Sequence, residues 1–247
     1  MKEQISKSTA PNSERIFLEG PRSRYKELLF SIKILFEFIR GFRMLHFVGS
    51  CVAVFGSARV TEGSENYKNA YSMGKGLANL GFTVITGGGP GIMEAANRGA
   101  QENGGTSIGC NIRLPKEQMP NVYMDRWFVC KYFFVRKVLM FKYSNAFVIM
   151  PGGIGTLDEF FEALTLIQTH KIIDFPIVIF GKEYWKPLLP LFDQMLQAKM
   201  VSDTDLKYVL ITDSLEEALD HIKKYAWEKY EERRKKIFHK SIALGEK

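Results

Sequence analysis

From residue 50 onward the sequence predicts an α/β fold, a mainly parallel, doubly wound sheet with helices on both faces. Three observations carry this. β-Prone runs at about 51–56, 82–86, 106–112, 146–150, 176–180 and 208–211 alternate with helix-periodic segments at about 66–80, 91–103, 131–144, 156–169, 184–199 and 214–229. Three of those runs end in small or glycine-rich turns, the places where an open α/β sheet receives its ligand. The 247 residues are 46% hydrophobic and 25% charged, enough apolar material for a large core plus an extension.

The elements follow in order. Residues 1–24 are polar, contain two prolines and read as a mobile arm without a cleavable signal sequence. Residues 25–48 are strongly apolar, but Lys33, Glu37, Arg40 and Arg43 recur at helical spacing along one side. A membrane-spanning helix needs about 20 nearly uncharged residues, so this stretch is expected to be an amphipathic helix packed on the domain or on another subunit. An interfacial membrane helix is the sharper alternative. These features divide the chain into an arm and helix at 1–48, a main domain at 49–229 and a basic tail at 230–247.

The first strand runs into Gly56-Ser57-Ala58-Arg59. The second, Phe82-Thr-Val-Ile-Thr86, meets Gly87-Gly88-Gly89-Pro90-Gly91 before a helix opens. The third site is Phe147-Val-Ile-Met-Pro-Gly-Gly-Ile-Gly-Thr-Leu-Asp-Glu159, a buried strand feeding a helix expected to carry Asp158 and Glu159 in its first turn. A helix start exposes unsatisfied N–H groups and positive potential, so it suits a phosphate. Carboxylates so close add nothing to phosphate binding alone; they point to chemistry about one sugar-length away. Glycines that merely make tight turns are the structural alternative, and three such loops in one pattern weigh against it.

Familiar glycine motifs do not account for these loops. No G-x-G-x-x-G with a following ribose-binding acid occurs, and no G-x-x-x-x-G-K-[ST], so a mononucleotide or sugar phosphate fits better than a dinucleotide. The helix at 131–144 brings Arg136 among aromatic residues just ahead of Pro151-Gly152-Gly153, within reach of the crevice as a phosphate or carboxylate fork. The net charge of +7 reads as a basic surface and tail; no nucleic-acid motif is present and no such partner is expected. Cys51, Cys110 and Cys130 are too few and too scattered for a disulfide framework, which points to a reducing, cytoplasmic setting. The four histidines form no ligand pair, so neither a metal nor another cofactor is expected.

The nine residues Pro151 to Glu159 complete the pattern P-G-G-x-G-T-x-x-E. Together with Arg136-Lys137, the stretch Gly87 to Ala96 and Gly56-Ser57, they resemble the LOG family of cytokinin riboside 5′-monophosphate phosphoribohydrolases, long labelled putative lysine decarboxylases. The likeness spans about residues 50–215 and leaves out the apolar helix and basic tail. It implies a Rossmann-like fold, at least a homodimer, and cleavage of a nucleoside 5′-monophosphate such as AMP to free base and ribose 5-phosphate. It further implies Arg136 and Glu159 as the catalytic pair. Gly152, Gly153, Gly155 and Thr156 would hold the phosphate, and Ser57, Gly88, Gly89, Met93, Glu94 and Lys137 would contact substrate. The resemblance leaves open the preferred base and the division of labour between Arg136 and Glu159. A pyridoxal-phosphate decarboxylase would need a marked lysine with an acidic partner for the ring nitrogen, and none stands out. A nucleotide or molybdenum-cofactor carrier on the same fold is the main rival.

Overall fold

A computed structural model of the protein describes residues 13–113 and 119–235. Seven strands form one sheet in the order β4-β3-β2-β1-β5-β6-β7, and every pairing is parallel. The strands are β1 (Cys51–Phe55), β2 (Thr83–Thr86), β3 (Ser107–Ile112), β4 (Arg126–Cys130), β5 (Ser144–Ile149), β6 (Ile177–Phe180) and β7 (Val209–Thr212). Burial on both faces explains why the central strands read as near-continuous apolar runs. On one face α3 (Glu65–Asn79), α4 (Ile92–Gln101) and α10 (Leu215–Lys235) close a core around Val52, Val54, Met73, Leu77 and Ile222. On the other, α2 (Arg24–Leu45), α5 (Phe133–Tyr143) and α6 (Ile154–Gln168) cover Phe55, Leu139, Phe147, Ile149 and Phe160.

The strand order reverses between β1 and β5, which share the register Val52↔Ala146 to Phe55↔Ile149. Crossovers leave to opposite sides there, the place where an open α/β sheet receives its ligand. The loops after both strands are glycine-bearing.

Four details differ from the sequence reading. β4 was not expected: Trp127 to Cys130 runs straight into the aromatic start of α5, and an edge strand gives only a short period-2 signal. The segment expected as one helix at 184–199 is broken into α7 (Lys182–Trp185), a 3₁₀ turn (Lys186–Leu188) and α8 (Leu189–Gln197), with Pro187 and Pro190 in the early positions of the last two. A further one-turn helix, α9 (Asp203–Leu206), carries a capping box from Ser202. Part of the arm expected to be mobile forms α1 (Ser13–Leu18). The first residues of that arm, and the tail beyond residue 235, lie outside the described residues.

Among the described residues no helix is long and apolar enough to cross a membrane. Helix α2 does pack on the domain, but the charged side is not simply the wet side. Glu37 is buried, whereas Leu28, Leu35 and Phe36 are more than half exposed.

Candidate active site

Three loops meet at the switch point, and Ser57 ties them together. Its N–H donates to the Pro151 carbonyl (3.0 Å), its own carbonyl accepts from the Ile92 N–H (3.1 Å), and its hydroxyl accepts from the Arg59 N–H (3.1 Å). The turn after β1 thus fixes both the loop after β5 and the start of α4. Gly91, the N-cap of α4, sits at φ +70°, and a Cβ there would come within 2.5 Å of the Ser57 carbonyl oxygen. Only glycine fits.

The Gly87–Gly89 loop is held from beneath by a buried polar network. Asn97 accepts from the Thr86 hydroxyl (2.6 Å) and donates to the Ser107 hydroxyl (2.7 Å) and the Ile108 carbonyl (3.3 Å). Asn121 donates to Asn97 (3.1 Å) and to the Gly89 carbonyl (3.0 Å), while its N–H donates to the Gly88 carbonyl (2.9 Å). The Gly88 N–H is taken by the Thr86 hydroxyl (2.9 Å). Thr86, Asn97 and Asn121 were missed in the sequence; isolated polar residues leave no periodic signal, and their partners come from other elements.

After β5, helix α6 begins at Ile154, earlier than its pattern implied. Its first turn, Ile154-Gly155-Thr156-Leu157, therefore carries no acid, and Asp158 and Glu159 fall in the second turn. This corrects the expectation of first-turn acids and strengthens the anion argument, because nothing negative competes at the helix start. A Cβ at Gly153 or Gly155 would meet nothing within 4 Å, so packing does not demand these glycines. Thr156 is buried against Gly152, and the Gly152 carbonyl is fixed by the Tyr184 hydroxyl at 2.7 Å.

Glu159 stands one helical turn deeper than this start. It is 3% exposed, and its Oε2 has no hydrogen-bond partner among the described residues. Arg136 Nη1 lies 3.8 Å from its Oε1, an ion pair but too long for a hydrogen bond. Arg136 is itself anchored, its Nε donating to the Cys110 carbonyl (2.9 Å) at the end of β3. A Cβ at Gly87 would come 2.6 Å from Arg136 Nη2, so the guanidinium reaches from the glycine loop after β2 to α6. Loss of water around the carboxylate raises the Glu159 pKa from 4.5 to about 7; Arg136 and then Lys137 oppose the rise, and Glu162 and Asp158 add to it.

A pH dependence follows. The folded state holds the Glu159 proton more tightly than the unfolded state, so stability from this group is full below pH 4.5 and is lost as pH rises toward 7. Glu159→Gln should therefore gain about 2–3 kcal/mol relative to wild type between pH 5 and pH 8. Urea unfolding of both proteins at the two pH values measures this; an unchanged difference would mean that the carboxyl titrates normally.

The remaining expected contacts divide. Met93 lies against Gly87. Glu94 accepts from the Tyr67 hydroxyl at 3.0 Å. Lys137 is engaged on α6 by Asp158 (3.0 Å) and Glu162 (2.5 Å). Burial pulls its pKa down, but those two carboxylates outweigh the effect and hold it above the usual lysine value. Among the described residues no cluster of three or more His, Cys, Asp or Glu could hold a metal ion.

The fold defines a Rossmann-like α/β protein, with the candidate site at the switch point of a parallel sheet. Comparisons narrow this. A family profile described as "Possible lysine decarboxylase" matches residues 93–222. The cytokinin riboside 5′-monophosphate phosphoribohydrolase of Mycobacterium tuberculosis is 31% identical, over 68% of this chain and 90% of that protein. The enzyme of the same name from Rhodococcoides fascians is 26% identical, over 70% of this chain and 88% of its own length. Among solved structures, the molybdenum cofactor carrier protein of Chlamydomonas reinhardtii superposes with a TM-score of 0.54 at 25% identity, over 72% of this chain and 98% of the carrier. The chain belongs to the LOG family.

Proposed function

We propose that the protein hydrolyses the N-glycosidic bond of a nucleoside 5′-monophosphate, releasing free base and ribose 5-phosphate. One observation carries this reading: a buried carboxylate with an unpaired oxygen, one turn behind an acid-free helix start and 3.8 Å from an anchored guanidinium. The family membership and the names of the relatives support the same class of substrate.

The 5′-phosphate would rest on the first N–H groups of α6, where bare Gly153 and Gly155 allow close approach. This seats the anomeric carbon near Glu159. The C1′–N bond breaks with its electron pair leaving on the base, and positive charge builds on the sugar as in glycoside hydrolysis. The Glu159 carboxylate opposes that charge and takes a proton from the water whose oxygen joins C1′; the proton is then returned to the departing base. A pKa near 7 suits a group that must do both. Arg136 keeps part of Glu159 ionised despite its burial and directs its remaining donors at the phosphosugar.

The test is incubation with AMP, isopentenyladenosine monophosphate and adenosine, following base and ribose 5-phosphate by chromatography. Binding energy from the phosphate is used to position the sugar, so adenosine should be hydrolysed at least about a hundredfold more slowly than AMP. Equal rates would overturn the role assigned to the loop after β5.

The superposition with the molybdenum cofactor carrier supports a second reading, a carrier that binds a phosphorylated ligand without turning it over. Tight AMP binding with no release of base from either nucleotide would favour it. A decarboxylase that forms a Schiff base on Lys137 is disfavoured, since two carboxylates hold that amine protonated.

A further inference from the structure

Helix α5, which carries Arg136, has no side-chain cap of its own; Tyr132 stands at its N-cap. The N–H groups that lead into it, of Lys131, Tyr132 and Phe133, are instead met by carboxylates from outside the stretch that the family profile matches. Glu37 Oε1, on α2, accepts from the N–H groups of Lys131 (2.8 Å) and Tyr132 (3.2 Å). Glu14 Oε1, on α1, accepts from the N–H of Phe133 (2.9 Å). Three successive N–H groups are thus bound by two acids, each only 8% exposed.

The Tyr132 carbonyl in turn accepts from the Arg136 N–H (3.2 Å), the bond that starts the helix under the guanidinium. Packing holds the acids in place. Phe30 of α2 stacks on Phe17 of α1 (4.1 Å) and meets Tyr132 edge-on (5.0 Å). Gly41 lets α2 lie close along α5, where a Cβ would come 2.5 Å from Leu139 Cδ1.

We propose that Glu37, assisted by Glu14, is a positioning residue for the active site: the N-terminal helices cap the start of α5 and so set the reach of Arg136 toward Glu159. Burying two carboxylates is costly unless each gains hydrogen bonds, and here the N–H groups of one helix start supply them. Burial, only partly offset by the Phe133 N–H and reinforced by Glu37, holds the Glu14 pKa above its usual value. Both acids lie outside residues 93–222, the stretch that the family profile matches.

The proposal rests on Arg136 and Glu159 as the catalytic pair, and the test separates the two claims. The groups facing Glu159 are Arg136 and Lys137 from α5, Asp158 and Glu162 from its own helix, and Cys110 from β3. Of these, only Arg136 and Lys137 lower its pKa, and both ride on the capped helix. Glu37→Ala in the full chain should cut kcat for AMP about tenfold or more, change KM less than threefold, and move the acidic limb of the pH–rate profile upward by half a unit or more. Glu37→Gln keeps an accepting oxygen and should restore most of the rate. Glu37→Asp, too short to reach, should behave like Ala and serves if the Ala variant does not fold.

Ile222→Ala in α10, matched for loss of thermal stability, should leave kcat and the pH profile in place. A wild-type kcat and pH profile in folded Glu37→Ala would overturn the proposal, as would an equal loss in Ile222→Ala. Amide hydrogen exchange over residues 131–137 gives a readout independent of turnover. Faster exchange in Glu37→Ala supports the cap, and unchanged exchange sinks it. If wild type releases no base from AMP, only the catalytic reading fails, and the exchange result still decides the role of Glu37.

Discussion

Glu159→Gln should lose turnover of AMP by a factor on the order of 10²–10⁴ while binding AMP within a few-fold of wild type. The substitution nearly preserves shape, so α6 keeps its packing and the loop before it keeps its N–H groups. In the proposed reaction, what disappears is the negative charge opposite the forming oxocarbenium ion and the site that takes the water's proton. The carboxylate is buried, its Oε2 is unbonded and its ion pair with Arg136 is long at 3.8 Å. The neighbouring acids do not duplicate this: Asp158 and Glu162 are turned to Lys137, at 3.0 and 2.5 Å. Rates come from chromatography of base and ribose 5-phosphate, and affinities from calorimetry. Normal turnover in this variant would remove Glu159 from the chemistry.

Asn97→Ala should cost about 3–5 kcal/mol of stability, a large loss for one polar side chain. Asn97 is fully buried and serves four partners, Thr86, Ser107, the Ile108 carbonyl and Asn121. Truncation removes the acceptor of the Thr86 hydroxyl and the donor to the Ser107 hydroxyl, both out of reach of water, at about 1–3 kcal/mol per orphaned group before relaxation, while Asn121 keeps its bond to the Gly89 carbonyl. The same network carries the Gly87–Gly89 loop, so KM for AMP should rise along with the fall in stability. Thermal unfolding and steady-state kinetics on the same preparation check both. A drop of only a few degrees with unchanged KM would mean that the network is not a support of the loop.

Much of this architecture was legible in the chain. Six of the seven strands and the three loops at the switch point follow from alternating apolar runs and from glycines at their ends. Arg136 and Glu159, chosen from the motif and its resemblance, do meet across the crevice. The start of α6 was misjudged because Gly153 and Gly155 weaken the helical signal over the turn that matters most. β4 was lost because its short apolar run merges with the aromatic residues of α5.

Hydrophobic periodicity and turn chemistry are properties of neighbouring residues, so the sequence by itself determined the α/β class, the order of most of its elements and the glycine-bearing loops at the strand ends. Which polar groups are buried, and against whom, was decided only by tertiary structure. Glu37 looks like one more charge on the wet side of an amphipathic helix until a backbone N–H 94 residues away binds it. The free energy of a buried carboxylate depends on its partners and on the water it has lost. Neither is a local quantity, and both the pKa of Glu159 and the capping of α5 arise from them.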